Sequence, residues 1–140
     1  MKILLAVDGS PYTKKMLAYL TTHDELFGPR NEYTLLTVQS PLPPRARAAV
    51  GKEIVDSYYA DETEKVMAPI TEFLSHHNLV VKREWKVGHV GETIANCADE
   101  GKFDLLVMGS HGHGTIGNLV MGSVATQVLS HCKVPLLLVR

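Results

Sequence analysis

A short apolar run that ends at a glycine-rich connection constrains this chain more than any other feature of its sequence. Residues 105–108 (LLVM) are apolar, Gly109 ends the run, and Ser123 opens a segment with the 3.6-residue spacing of a helix. The connection holds three further glycines, Gly112, Gly114 and Gly117, and a fourth, Gly122, directly precedes Ser123. We therefore predict a buried strand over Phe103–Met108, a loop over 109–121 and a helix that follows it.

The loop and the start of the following helix are suited to hold phosphate. Glycine lets main-chain N–H groups approach an anion closely, and the first turn of a helix offers unpaired N–H donors with a partial positive charge. The connection from Gly109 to Met121 has 13 residues. Strand-to-helix connections usually have about 2–6 residues, and much longer ones are commonly functional. The alternative is that the glycines only form a turn.

Predicted strands and helices alternate along the whole chain. The predicted strands are Lys2–Asp8, Tyr33–Gln39, Val80–Val87, Phe103–Met108 and Val134–Val139. The predicted helices run from Ser10 to Gly28-Pro29, over Lys52–His77, over Glu92–Glu100 and over Ser123–Cys132. Strands that are joined by crossover helices run parallel, and apolar strands are covered on both faces. The order predicts one α/β domain over residues 1–140, a doubly wound, five-stranded parallel sheet with helices on both faces.

Several local features refine this prediction. We expect Ser10 to cap the first helix, because Pro11 follows it. The segment Ser40–Gly51 contains three prolines and is predicted to be a loop, and Pro69 is expected to kink or interrupt the long helix. The alternating pattern of Val80–Val87 is typical of a strand at a sheet edge.

Charge and hydropathy exclude two classes of function. The 140 residues carry a net charge of −1 with no run of like charge, so we expect no broad binding to nucleic acid. No apolar stretch approaches the roughly 18 residues of a membrane span. The start Met1–Val7 is interpreted as a strand rather than a signal peptide. Cys97 and Cys132 match neither a disulfide framework nor a metal pair, so we expect buried free thiols and a cytoplasmic location.

The spacing Gly109-x2-Gly112-x9-Gly122-Ser123 resembles the ATP-binding motif of the universal stress protein family. Further segments resemble that family in the same order, so that the resemblance covers essentially the whole chain: Ile3–Ser10, Thr37-Val38, Gly88–Gly91, Asp104–Gly112 and Val134–Arg140. The resemblance implies a Rossmann-like fold of the adenine nucleotide alpha hydrolase type, with strand order 3-2-1-4-5.

The resemblance also implies which residues hold the adenosine part of the ligand. Asp8 would accept a hydrogen bond from the exocyclic amino group of adenine, with Ala6 beside the base and Val38 in contact through its backbone. Met108 and Gly109 would lie along the base and the ribose. A carboxylate accepts from an amino group but not from a carbonyl, which favours adenine over guanine. Asp8 could also cap the first helix, and the two roles are compatible.

For the rest of the ligand, the resemblance implies that Gly112 and His113 approach the ribose and the phosphates, and that the helix start holds the phosphates. The helix-start residues are Gly122, Ser123 and Val124. Several family members have a hydroxyl residue where this chain has Ala125, and Lys or Arg is common where it has His113. These departures favour weaker binding or fewer phosphates. The expected cofactor is ATP, with AMP or ADP as alternatives and with or without magnesium.

Histidines and arginines near the loop leave further alternatives. His111 and His113 could ligate a metal with His76, His77 or His89, but no third ligand stands at a typical spacing, and we interpret them as loop residues at a phosphate site. Arg45 and Arg47 could reach the phosphates, although a solvated loop is the default interpretation.

The sequence predicts no catalytic residues, because no acid–base pair accompanies the glycines. We therefore expect a nucleotide-dependent regulatory protein with an unidentified protein partner, and the resemblance implies that its role is in the stress response. The alternatives are a structural or interaction protein that binds no nucleotide, and a weak ATPase or adenylate kinase-like enzyme. The apolar last strand, Val134–Val139, is predicted to pair in a homodimer.

Overall fold

The computed structural model describes residues 1–113 and 120–140, which alternate between strands and helices. The strands are β1 (Lys2–Ala6), β2 (Glu32–Gln39), β3 (Val81–Val87), β4 (Leu105–Gly109) and β5 (Leu136–Val139). The helices are α1 (Pro11–Thr22), α2 (Pro44–Val50), α3 (Lys52–His76), α4 (Val90–Glu100) and α5 (Ser123–His131). Gly114 and Gly117, which belong to the predicted phosphate loop, lie outside the described residues.

The five strands form one sheet in the order β3-β2-β1-β4-β5. All four pairings are parallel, with Leu5 of β1 opposite Leu35 of β2 and Val107 of β4. The predicted α/β fold and its strand order 3-2-1-4-5 are therefore confirmed. Because β1 and β4 are neighbours although a long stretch of chain separates them, the strand order reverses between them, at the place where such sheets bind ligands.

An apolar cluster covers each face of the sheet. On one face, Leu5 and Val107 pack with Met16 of α1 and with Met67 and Leu74 of α3. The other face has a second cluster, built from alternate strand residues and helices α4 and α5. Its most buried members include Leu4, Leu36, Ala98, Leu106 and Val128. Side chains alternate between the two faces of a strand, which explains why the inner strands β1 and β4, covered on both faces, are almost entirely apolar.

Helix α1 starts where predicted but ends earlier. Ser10 is its N-cap, and the Ser10 hydroxyl accepts a hydrogen bond from the Thr13 N–H at 3.4 Å. The helix ends at Thr22 and not at Gly28, because His23 leaves the helical conformation. The N–H of Phe27 then bonds to the carbonyl of His23, and this turn brings the Phe27 ring into the core.

The segment predicted as a loop over Ser40–Gly51 contains a helix, α2, so that prediction was wrong. Pro44 stands at the first helical position, where its fixed φ favours a helix and its missing N–H costs nothing. The residues that follow, RARAAV, are mostly good helix formers. Gly51, with a φ of +84°, separates α2 from α3.

Helix α3 runs without interruption through Pro69, so of the expected kink or interruption the interruption is absent. Its buried face includes Met67, Ile70 and Leu74, at spacings of three and four residues. Pro69 stands between these buried positions, and packing of the apolar face against the sheet accounts for a helix that outlasts the missing hydrogen bond.

Smaller differences concern the last two helices. Helix α4 begins two residues before its predicted start, at Val90, and α5 ends at His131. Leu129, predicted on the apolar side of α5, is 51% exposed. The buried residues of this helix are Ala125 and Val128. Cys97 is buried and Cys132 half-buried, and both thiols are free. Among the described helices, none is long and apolar enough to cross a membrane.

Candidate nucleotide site

A cavity of about 430 Å³ lies at the carboxyl ends of β1 and β4, beside the first turns of α4 and α5. That volume falls within the range of small-molecule sites, roughly 300–1,000 Å³. All ten residues predicted for the site line it: Ala6, Asp8, Val38, Met108, Gly109, Gly112, His113, Gly122, Ser123 and Val124. The fold thus brings together residues that lie up to 118 positions apart between Ala6 and Val124.

One part of the wall is apolar. Val38 and Met108 come from the ends of β2 and β4, and Val90 and Ile94 come from the first two turns of α4. The side chains of Ala6 and Met108 belong to the buried cluster on the same face of the sheet, which fixes their position. A flat, uncharged ring is the kind of group that such a surface can cover.

Another part of the wall is the start of α5. Its N-cap is Gly122, and no side chain among the described residues caps the helix. The first N–H groups of a helix lack partners within it, so they carry partial positive charge toward whatever lies before them. Ser123 follows Gly122 on the cavity wall and is exposed.

Gly122 is held tightly by the chain that leaves β4. Its N–H donates to the Ser110 carbonyl at 2.8 Å, and a Cβ at this position would lie 3.1 Å from the His111 Cα. The close approach of two backbone segments favours glycine here. A branched side chain at Gly122 would therefore disturb the protein's own backbone as well as any ligand.

Asp8 lies where β1 gives way to α1, with its carboxylate fixed on one side. Its Oδ1 accepts from the Ser10 N–H at 2.9 Å and from the Thr13 hydroxyl at 3.0 Å. Its Oδ2 faces the loop after β4, since a Cβ on Gly112 would lie 2.8 Å from it. Asp8 therefore holds the turn before α1 through Oδ1, whereas the N-cap of the helix is Ser10 and not Asp8.

The two loop histidines contact the protein itself. The His111 ring lies 4.6 Å from the Tyr12 ring, and its Nδ1 is 2.8 Å from the Ser110 hydroxyl oxygen. The Nε2 of His113 is 2.8 Å from the Asp8 carbonyl oxygen. The part of the chain that the structure describes has no group of three His, Cys, Asp or Glu side chains arranged to hold a metal.

The charges around the cavity are few. Asp8 is its carboxylate, and His111 and His113 are its imidazoles; no lysine or arginine stands among the described lining residues. Arg45 and Arg47 lie on the exposed helix α2, away from this wall. A ligand anion would meet main-chain N–H groups rather than a cationic side chain.

Five lining residues were not singled out by the sequence reasoning, and they share no recognisable motif: Val7, Thr13, Ser40, Val90 and Ile94. Two more, His111 and Ala125, were considered beside the phosphates but not predicted as binding residues. Only the position of Val90 had a local indication, because it lies in the turn Gly88–Gly91 after a predicted strand, where the carboxyl edge of a sheet is expected. The others reach the cavity through tertiary packing.

Comparison with known proteins assigns this doubly wound fold, with a cavity at its switch point, to a family. The sequence profile of the universal stress protein family matches residues 1–140. A universal stress protein of Thermus aquaticus is 32% identical over 143 aligned residues, which cover 99% of this chain and 97% of that protein. The chain therefore belongs to the universal stress protein family.

Other relatives differ in length or are known as structures. Universal stress protein Slr1230 of Synechocystis is 31% identical over 139 residues, which cover 99% of this chain but 42% of that protein. The chain thus spans less than half of the cyanobacterial relative. The solved structure of the protein MJ0577 superposes with a TM-score of 0.82 at 25% identity, with 99% of this chain and 94% of that one covered.

Two structural relatives were solved with adenine nucleotides. A universal stress protein from Archaeoglobus fulgidus in complex with dAMP has a TM-score of 0.67 at 20% identity, covering 100% of this chain and 98% of that one. A family protein from Arabidopsis thaliana with AMP bound has a TM-score of 0.69 at 15% identity, covering 99% and 90%. These ligands belong to those two proteins, and at such identities the likeness to this chain is one of fold.

Proposed function

We propose that this protein binds an adenine nucleotide in the cavity at the carboxyl ends of β1 and β4. The observation that carries the proposal is that one cavity is lined both by an apolar surface and by the start of α5, whose N-cap, Gly122, has no side chain. The apolar wall suits a base, and the N–H groups of α5 suit a phosphate. Asp8 adds an acceptor for the amino group of adenine, and the nucleotide complexes of structural relatives agree with this choice of ligand.

The charges of the wall bear on which nucleotide binds. With no basic side chain among the described lining residues, each phosphate beyond the first adds negative charge that no side-chain cation offsets. Ala125 also leaves the helix start without a further hydroxyl. We therefore expect AMP to bind at least as tightly as ATP in the absence of magnesium, and magnesium to favour ATP by partly neutralising its phosphates.

The proposed role is regulatory rather than catalytic. Hydrolysis needs a positioned base, but His113 donates to a carbonyl and Asp8 accepts from the start of α1. Nucleotide binding would change the surface around Gly112 and His113, which a protein partner would contact. Slow ATP hydrolysis is the second candidate, and phosphate release from ATP is its measurement.

Isothermal titration of nucleotide-free protein with AMP, ADP and ATP, each with and without magnesium, tests the proposal. Ser123→Glu would place a carboxylate at the α5 start, where it is compatible with the helix dipole but competes with phosphate. We expect it to weaken AMP binding by roughly tenfold or more, since one well-placed charge changes a site by about 1.5–3 kcal/mol. Ser123→Gln, of similar size but neutral, is the matched control.

Titration with adenosine distinguishes binding of the nucleoside from binding of the phosphate. Because it has no phosphate, we expect Ser123→Glu to leave its affinity nearly unchanged. If no nucleotide gives heat at millimolar concentration, the proposed function is wrong. If Ser123→Glu and Ser123→Gln bind AMP equally well, the phosphate does not lie at the start of α5.

A further inference from the structure

A buried hydroxyl on the cavity wall belongs to Thr13, in the first turn of α1. The residue is 3% exposed and yet lines the cavity. Its hydroxyl donates to Asp8 Oδ1 at 3.0 Å and accepts from the Asp8 N–H at 3.2 Å. One side chain therefore contacts both the backbone and the carboxylate of Asp8.

These contacts determine which way the Asp8 carboxylate points. Two donors converge on the same oxygen, because the Ser10 N–H also bonds to Oδ1, at 2.9 Å. The second oxygen, Oδ2, then lies next to Gly112, 2.8 Å from where a Cβ of that residue would stand, and both residues line the cavity. A carboxylate that is held through one oxygen presents the other in a fixed direction, whereas an exposed aspartate without such contacts samples several rotamers.

We propose that Thr13 is a positioning residue that sets the base specificity of the cavity. It aligns Asp8 so that Oδ2 accepts a hydrogen bond from a purine 6-amino group. This inference rests on the proposed function, because it presupposes that an adenine nucleotide occupies the cavity. The ligand class it defines is a 6-aminopurine nucleotide, discriminated from the 6-oxopurine nucleotide of the same size.

The discrimination follows from hydrogen-bond chemistry. A 6-amino group donates to a carboxylate, but a 6-oxo group is itself an acceptor and repels it. A site whose polar group is left unpaired by the wrong ligand rejects that ligand strongly. If the Asp8 carboxylate loses its alignment, the 6-aminopurine nucleotide loses part of its hydrogen bond to Oδ2. The 6-oxopurine nucleotide has no such bond to lose. Removal of the Thr13 hydroxyl should therefore change the ratio of the two affinities, and not just their common level.

The test compares AMP and IMP binding by calorimetry in the wild type, Thr13→Val and Thr13→Ser. Valine keeps the shape of threonine without the hydroxyl, and serine keeps the hydroxyl without the methyl group. Since one hydrogen bond corresponds to roughly two- to tenfold in affinity, we expect Thr13→Val to lower the AMP-to-IMP preference by about that factor. Thr13→Ser should keep the wild-type preference, even if packing loss weakens both ligands.

A purely structural role makes a different prediction. If Thr13 only stabilises the start of α1, AMP and IMP weaken together in Thr13→Val, the preference stays constant, and the inference is wrong. Thr13→Ala serves as a second hydroxyl-free variant if Thr13→Val does not fold. Failure of the wild type to bind AMP refutes the proposed function itself, whereas wild-type binding with an unchanged preference in the variants refutes only the role of Thr13.

Discussion

The imidazole of His113 joins the loop after β4 to the end of β1, because its Nε2 lies 2.8 Å from the Asp8 carbonyl oxygen. A carbonyl only accepts, so the ring nitrogen is the donor. The contact uses the backbone of Asp8 and leaves the carboxylate to the start of α1 and the cavity. One residue thus has its main chain held by the loop and its side chain held by the helix.

The first prediction concerns this contact. His113→Ala removes the donor, and we expect AMP affinity to fall by roughly two- to tenfold because the loop is less well positioned. His113 is exposed, so the free energy of unfolding should change by less than about 0.5 kcal/mol. Calorimetry with AMP and chemical denaturation measure the two quantities.

His113→Gln is the matched variant, since its side-chain amide also donates an N–H. We expect it to bind AMP more tightly than His113→Ala does. Equal affinities of the two variants and the wild type would show that the bond to Asp8 does not help to shape the site.

The second prediction concerns the hydroxyl that Ala125 lacks. Ala125 is 1% exposed and lines the cavity at the third position of α5. Ala125→Ser adds a donor there, and we expect AMP and ADP to bind about two- to tenfold more tightly while adenosine is unaffected. Without a ligand, the buried hydroxyl should cost about 1 kcal/mol of stability.

Ala98→Ser provides the control for Ala125→Ser. Ala98 is buried in the same apolar cluster but is not on the cavity wall. The Ala98→Ser variant should be less stable than the wild type and should show no gain in nucleotide affinity. An adenosine affinity that rises as much as the AMP affinity would mean that the new hydroxyl meets the nucleoside and not the phosphate.

The fold could be predicted from the sequence because most of its strands are largely apolar runs with turn residues at their ends. Five parallel strands follow from that pattern, and the edge position of β3 followed from its alternation. Helix α2 could not be predicted in this way. Prolines indicate a loop, but they are also common in the first turn of a helix, where Pro44 stands. The end of α1 at Thr22 was also not predicted, because the turn that follows it buries the Phe27 ring, which is a tertiary effect.

The candidate site was predictable to the extent that it is a local motif. Glycines, Asp8 and the helix start are read directly from their spacing and from the resemblance to the family. Thr13 and Ile94 are different, because each reaches the cavity only after its helix has packed on the sheet. No spacing along the chain contains that information.

The third prediction is a pH dependence of stability that involves Tyr33. Burial raises the pKa of Tyr33 above its usual 10.0, although the bond from Asn31 opposes the shift. A group whose pKa is higher in the folded state contributes stability below its unfolded pKa and loses it as the pH rises toward the folded value. Wild-type stability should therefore decline above about pH 10.

Tyr33→Phe isolates this contribution. The Tyr33 hydroxyl donates to the Gly28 carbonyl at 2.8 Å, so the variant should be less stable by about 1–2 kcal/mol at pH 7. The difference in the free energy of unfolding between the wild type and Tyr33→Phe should become smaller as the pH rises beyond 10. Burial also raises the pKa of the Cys132 thiol, but that effect is common to both proteins and cancels. If that difference stays constant across the pH range, the stability does not depend on the ionisation of Tyr33 and the prediction is wrong.

The fourth prediction concerns the edge strand β5, which we propose as the dimer interface. The Leu106 N–H bonds to the Pro135 carbonyl and the Ser110 N–H bonds to the Val139 carbonyl. Backbone groups of alternate residues point to opposite sides of a strand, so those of Leu138 point away from β4. They are the groups that a second copy of the strand would pair with.

Leu138→Pro removes the outward N–H without breaking the bonds to β4, because proline is tolerated where the N–H faces away from the sheet. The Leu138 side chain packs against the cluster on the α4–α5 face, so its loss also costs stability. Leu138→Ala has the same kind of packing loss but keeps the N–H. If β5 forms the interface, light scattering should find Leu138→Ala dimeric and Leu138→Pro monomeric at equal concentration. A dimer that survives in Leu138→Pro would place the interface elsewhere, and a wild-type monomer would exclude pairing through this edge.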